Sequence, residues 1–510
     1  MECKITADRL VTDCTALDSS VEHAVDTDFT LPDYCPDIGR IFKCSAQTRV
    51  SSRSVKGGVL RIEGTTKLDV CYLDSASRKI ACFSKDIPFG KEMSAPDCPD
   101  GAKARISVRT DYMNCRAISQ RKVDVHGALT VRAMINERKT KQIVTDVQGS
   151  GVKLRMTKRT VSVPVGNAQS NISVSEALDL SEEKPAIASI LSADGEFCVS
   201  DVRTIANKVI VKGDLLLKIL YRSDTDSNAE SMSYTVPFNN FFDVSGADDG
   251  CVCDVSVGKA FTDISLRTDS DGEYRRIQAE VNADCDVAVY RQTEISAATD
   301  AYSTQCELAL EREKITLKRY CSAVKERFID RQSIAFDTSQ LSLVKDITCR
   351  AGNASFRFAG GKAEAEIPVI ATMLCENTDG DYELHEFPMT ARGEFGIPEG
   401  CFSPEINPSV HVRGCSFSMT SGKIDIATEL EVGACVYDGS ELICITSVSP
   451  DESKQKRFDS EPAVVLYFAD AGEDLWDIAR EHNTSVERIK EENGLEYDET
   501  AEPCMLIVTA

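Results

Sequence analysis

The residues able to do chemistry are many but dispersed. Cys251-Val252-Cys253 is the nearest approach to a metal-binding spacing, yet no second pair of ligands follows at zinc-site distance. The five histidines, His23, His126, His385, His411 and His482, are widely scattered along the chain. Nucleophile and phosphate motifs such as Gly-x-Ser-x-Gly, His-Glu-x-x-His and a glycine cradle are absent; Gly360-Gly361-Lys362 lacks the rest of a P-loop and reads as a hairpin turn. Acids scattered over strands and loops are solvated faces. The expectation is a non-enzymatic protein with no catalytic residue, no metal and no cofactor.

Bulk charge narrows the partners. With 82 acids against 58 Lys and Arg, the net charge of −24 disfavours phosphate backbones and anionic lipid, which would bring like charges together. The 21 cysteines are odd in number and irregularly spaced, in a chain too long to need staples, so they read as reduced, mostly buried small side chains. "MECKITADRLVTDC" lacks the apolar core of a signal peptide, and no run of eighteen apolar residues occurs, so a soluble, unexported protein is expected.

Binding chemistry concentrates near the C-terminus, in "GEDLWDIAREHNTSVERIKEENG" (472–494), which holds the only tryptophan. Leu475, Ile478 and Ala479 recur at i, i+3 and i+4, and Val486, Ile489 and Asn493 follow the same rule, so two short helices share a core. Thr484 with Glu487 has the spacing of a capping box, and Asn493-Gly494 supplies a left-handed stop. The apolar runs 463–468 and 504–508 flank the pair, giving a βααβ unit. Trp476 lies about 100° around its helix from Leu475 and is expected to be partly exposed, an anchor worth about 2 kcal/mol in an interface. Residues 461–510 carry thirteen acids and three bases, a net charge of −10. So acidic a unit meets like charge on peptidoglycan carboxylates and favours a protein partner.

What positions this unit is a long β-rich stretch. From residue 50 to about 450, Val, Ile and Leu alternate with polar residues, and turn residues punctuate the pattern. Segments 57–74, 208–223 and 361–377 share a plan of strand, small or polar interruption, strand. Pro-x-Ile-x-x-Ile begins at Pro36 and at Pro185, and the distances to Gly64 and Gly213 are both 28. Tyr72 is followed by Ile87-Pro88-Phe89, Tyr221 by Val236-Pro237-Phe238, and Cys375, in the tyrosine's place, by Phe387-Pro388-Met389. A proline here belongs on an edge strand or at a strand end. A repeat of about 145 residues is domain-sized, which divides the chain into β domains at 1–150, 151–302 and 303–448, the last the most eroded, a polar linker at 449–462 and the small unit at 463–510. The fold class is mainly β: three tandem β-rich domains plus the βααβ module.

The small unit resembles a LysM domain, whose Gly-Asp-Thr-Leu-x-x-Ile-Ala stands here as Gly472-Glu473-Asp474-Leu475-Trp476-Asp477-Ile478-Ala479, followed by Ser485-x-x-x-Ile489-x-x-x-Asn493. "LPDYCPDIGRIFKCSAQTRV" and "VIVKGDLLLKILY" resemble the SPOCS (spore-coat) domain family. SPOCS repeats ending in a LysM unit resemble clostridial spore-coat morphogenetic proteins. The resemblance implies a scaffold in the mother-cell cytoplasm, at the forespore surface, that docks through its LysM unit on a coat-basement ATPase, stage IV sporulation protein A, and collects other coat proteins. It also implies a groove between 471–475 and 494–497, so that Gly472, Glu473, Asp474, Leu475, Trp476, Gly494, Leu495 and Glu496 bind the partner while Ile478, Ala479, Val486 and Ile489 form the core. The alternative is a cell-wall protein that reads peptidoglycan through N-acetylglucosamine in that groove.

Overall fold

A computed structural model describes residues 4–149, 151–225, 228–420, 422–456 and 464–509. The first copy of the repeat consists of β1 (Lys4–Thr30), β2 (Ile38–Lys56), β3 (Val59–Asp74), β4 (Ile80–Ser94), β5 (Ala104–Ser119) and β6 (Lys122–Gln148). Two antiparallel sheets result, ordered β2-β3-β4 and β1-β6-β5. The second copy repeats this with β7 (Val152–Asp179), β8 (Ile187–Ile205), β9 (Lys208–Ser223), β10 (Ala229–Asp243), β11 (Cys251–Val257), β12 (Phe261–Thr268) and β13 (Tyr274–Ser303), the counterpart of β5 being divided in two. The third has β14 (Cys306–Ala335), β15 (Leu341–Ala351), β16 (Ser355–Ala359), β17 (Lys362–Asn377), β18 (Tyr382–Gly396), β19 (Pro404–Thr420) and β20 (Lys423–Gln455), here with the counterpart of β2 divided. The protein is mainly β, as its alternation predicts.

Segments 57–74, 208–223 and 361–377 are not split as expected: each contributes one unbroken central strand, β3, β9 or β17. The glycine read as an interruption is a seat for an aromatic ring. Gly64 faces Phe89 across the ladder and Gly213 faces Phe238; a Cβ on Gly64 would lie 2.3 Å from the Phe89 ring. Eight residues before Cys375 the third copy has Ile367, and its cross-strand partner is Ala391, so bulk is exchanged across the pair and volume is kept. Pro88, Pro237 and Pro388 lie on the edge strands β4, β10 and β18, where a missing N–H breaks no central ladder. Gly360 and Gly361, both at positive φ, make the expected hairpin turn between β16 and β17.

The repeat's tyrosine has a structural task. Tyr72 Oη donates to the Pro36 carbonyl at 3.0 Å, and Tyr221 Oη to the Pro185 carbonyl at 3.0 Å, closing the bend that leads into the central sheet. Arg121 donates to the carbonyls of Leu31, Pro32 and Cys35 around the same bend, as Arg275 does to those of Ser181 and Lys184. Cys44 and Cys115 are joined as a disulfide between β2 and β5, which corrects the expectation of a wholly reduced cysteine set: the alternation that turns both side chains inward brings their sulfurs together.

Each copy has a core of its own, and three further clusters exist only between copies. Cys71, Leu220 and Leu374, at equivalent positions, meet with Ile80, Ala229 and Tyr382. The outer strands make long arms: β1 has 27 residues, β7 28 and β14 30, each spanning about 90–100 Å. Along them Leu10, Ile143, Val161, Ile295, Ile315 and Leu442 form a second shared cluster, and Val144, Val147, Ala298, Ala301, Ile445 and Val448 a third. The copies are thus gathered in approximate threefold fashion. β20 runs on through Gln455, so 449–455 is strand, stabilised by pairing with β14, and not linker; 457–463 lies outside the described residues.

We expect Gly213→Ala, whose Cβ would stand 2.1 Å from the Cys198 carbonyl oxygen, to destabilise the second copy by about 1–3 kcal/mol through overpacking. Tyr221→Phe should cost about 1 kcal/mol by deleting one hydrogen bond. Thermal melts, with amide exchange in β9, check both.

Candidate partner-docking site

The C-terminal unit consists of β21 (Val464–Ala469), α1 (Leu475–Glu481), α2 (Val486–Asn493) and β22 (Cys504–Thr509), with β21 and β22 antiparallel. Leu475, Ile478, Ala479 and Ile489 are buried and Val486 packs beside them, so the helical stripe lies where its periodicity predicts. Asp474 caps α1 by accepting from Trp476 N at 2.9 Å. The cap of α2 is Ser485, one residue later than the sequence pattern suggests: its Oγ accepts from Arg488 N, whereas the Thr484 carbonyl is engaged elsewhere. Gly494, at φ 67°, ends α2 in the left-handed conformation. Asn493 ties that helix to β22, donating to the Ile489 and Ile507 carbonyls and accepting from Ile507 N.

The first groove loop, 471–475, is laced to residues 498–500, just beyond the second. Gly472 N donates to Thr500 O, Thr500 N to Glu473 O and Leu475 N to Asp498 O, between 2.7 and 3.1 Å. Glu473 accepts from Tyr467 Oη and from Asp470 N, and this pairing pushes the Tyr467 phenol up to about 12. Gly494 and Glu496 are exposed at the end of α2, and Leu495 is half-buried against the module's core.

Trp476 departs from expectation: it is 7% exposed, not an open anchor. A surface beyond its own helix covers it. Tyr302, at the end of β13, stacks edge-on with ring centroids 4.8 Å apart and donates from Oη to the Thr484 carbonyl at 2.7 Å. Trp476 Nε1 donates to Asp300 at 2.9 Å, and Arg480 and Arg312 reach the same carboxylate. Arg155 on β7 pairs with Asp474 at 2.7 Å, and Lys456 donates to Asn483 and to the Ser303 carbonyl. Helical periodicity correctly turns Trp476 away from the intramodular stripe; that a second domain would receive it is a tertiary fact with no local signal. The helical side of the module is therefore docked on the tip of the β7–β13 arm.

The sheet side is open, and sequence reasoning missed it. Val464, Leu466 and Phe468 on β21 and Met505 and Ile507 on β22 are 42–77% exposed, and Leu466 pairs with Ile507 and Phe468 with Met505. These five form one apolar face. Asp470 and Glu502, both exposed, stand beside its strand ends. The signal was in "AVVLYF": an unbroken apolar run in a small two-stranded sheet leaves no polar residue for the outer face.

A sequence family described as SipL, SPOCS domain, matches residues 37–118 and 186–266. The first two copies each carry a SPOCS-like domain. No curated protein and no solved structure matches the chain. The two SPOCS matches begin directly after Pro36 and Pro185, whose carbonyls receive Tyr72 and Tyr221, and cover β2–β5 and β8 to β12. The likeness points to a sporulation-related protein. Among the described residues no helix is long and apolar enough to cross a membrane.

Asp300 links the docking of the module on the arm to pH. Burial raises its pKa, but hydrogen bonds from Trp476, Ala301 N and Arg312 and the charge of Arg480 outweigh burial and hold it below the ordinary value. A carboxylate depressed in the folded state contributes stability above its unfolded value of about 3.9 and loses it as pH falls through the folded value. Docking should therefore be flat from neutral pH to about 5 and loosen below about 4, read as amide exchange in α1. Trp476→Ala should cost about 3–5 kcal/mol of module stability and expose α1 at neutral pH.

Proposed function

We propose that this SPOCS-repeat chain is a non-enzymatic spore-coat scaffold that works in the mother-cell cytoplasm at the forespore surface. Its βααβ unit is read as a LysM domain that docks on the coat-basement ATPase, stage IV sporulation protein A, while the β domains collect other coat proteins. The observation that carries this reading is the open apolar face of Val464, Leu466, Phe468, Met505 and Ile507 on a unit of net charge −10. Such a face suits a partner with an apolar patch rimmed by basic residues. Apolar burial supplies affinity, at about 25 cal/mol per Å², and the acids steer approach.

The same geometry favours protein over glycan. Gly472 N and Leu475 N, which would line the sugar groove, already donate to Thr500 O and Asp498 O. Trp476 packs on Tyr302 and offers no free stacking face. The acidity of the unit repels peptidoglycan carboxylates as well.

The test is capture of the full chain by the purified ATPase. Leu466→Asp and Phe468→Asp, at exposed positions, should each weaken capture at least tenfold with the far-ultraviolet dichroism unchanged, and capture by the native chain should weaken as salt screens the acids. Undiminished capture by both variants would sink the docking face. Sedimentation of the native chain with purified peptidoglycan, with no capture by the ATPase, would replace the scaffold by the glycan reader.

A further inference from the structure

The second and third copies face each other across an open cleft of 1410 Å³ to which the first also contributes. Glu196 of β8 and His411 of β19 line it and converge with the buried Cys198 of β8, and one ligand atom from each lies within 4.8 Å of the others. Strand alternation turns Glu196 and Cys198 to one side of β8, while Phe197 between them enters the core of the second copy. Cys198 is 0% exposed and forms no disulfide; His411 Nδ1 stands 2.9 Å from Glu196 Oε1.

The sister interface shows how this position is satisfied without a ligand set. Gln47 and Glu196 both stand twenty-five residues before the repeat tyrosine, and Arg49 and Cys198 both twenty-three before it. Gln47 donates to Ala193 O and accepts from Thr262 N, and Arg49 lies 4.9 Å over the Phe261 ring, so both reach the second copy and are satisfied there. In the second copy an amide and a guanidinium are replaced by a carboxylate and a thiol, opposite an imidazole.

We propose that Glu196, Cys198 and His411 bind one zinc ion that ties the second copy to the third. The donor set of one nitrogen, one sulfur and one oxygen suits zinc, and bonds of about 2.0–2.3 Å at tetrahedral angles place ligand atoms about 3.3–3.8 Å apart, a contraction of about 1.5 Å at most from the observed limit of 4.8 Å. Glutamate and thiolate neutralise the dication, and the Cys198 proton leaves to solvent on binding. Glu196 and His411 line the cleft, so water completes the fourth position. Nearby, Arg413, Lys325 and Arg327 are turned to the buried Glu431, and Arg413 also reaches Asp214. No motif announces the site, because Cys198 and His411 are more than two hundred residues apart and on different copies, while Cys251 and Cys253 take no part in it.

The test uses the full chain, stripped with a chelator and titrated with cobalt(II) as the spectroscopic stand-in for zinc. One equivalent should produce a thiolate-to-cobalt charge-transfer band and visible bands of tetrahedral intensity, both bleached by zinc, and zinc alone should raise the thermal midpoint. Cys198→Ser should abolish the charge-transfer band, and His411→Ala, at a part-exposed residue less prone to unfold the chain, should weaken cobalt binding at least tenfold. Cys253→Ser should leave the spectrum intact. Absence of the band in the native chain, or a band that survives in Cys198→Ser and His411→Ala, overturns the site.

Discussion

The structure depends on the length of its outer strands. A sheet strand of 27 to 30 residues is far longer than the central sheet beside it, whose strands β3, β9 and β17 have 16 each. The overhang cannot be covered by its own copy. Leu10, Val161 and Ile315 are each buried to 3% only because arms from the other two copies close over them. At about 1.5–3 kcal/mol for each such side chain, the shared arm clusters bind the copies more strongly than the ion pairs on their rims, most of which are exposed and individually worth about 1 kcal/mol or less. The repeat is therefore a unit of sequence more than a unit of stability.

This mutual cover explains why the third copy tolerates erosion. It lacks the tyrosine that closes the bend in the other two, yet Leu374, just before Cys375, enters the shared cluster beside Cys71 and Leu220. Tyr382 also enters that cluster and is hydrogen-bonded to the second copy through Asn228 and Ala229 N. Contacts between copies have taken over part of what the tyrosine–proline bond does within one.

Much of this was legible in the sequence. Period-two alternation, the equal spacings from Pro36 to Gly64 and Pro185 to Gly213, and the prolines at edge positions fixed the class and the copies, because each rests on local backbone rules. The helical stripe of Leu475, Ile478, Ala479 and Ile489 was legible for the same reason. What was not legible is long-range. Gly64 looks like a break until Phe89 is laid over it. Trp476 looks exposed until Tyr302 and Asp300 are brought to it from the far end of another domain. Segment 449–455 looks like a linker because its composition is polar, but Ser449, Pro450, Asp451 and Gln455 pair with β14, and that pairing overrides the composition.

The docking of Trp476 also decides which side of the module can work. With α1 held by Arg155, Asp300 and Tyr302, the helical side belongs to the arm, and the face left to an outside molecule is the sheet. A two-stranded sheet with Phe468 77% exposed is a liability in a free protein, since an apolar strand with unpaired edges invites aggregation. A polar side chain at 468 would remove the liability, and the sequence keeps Phe468 there. Acidic residues crowd the rest of the unit, so two copies meeting through this face would bring like charge together. On the proposed reading, the negative charge selects the partner and the apolar face holds it.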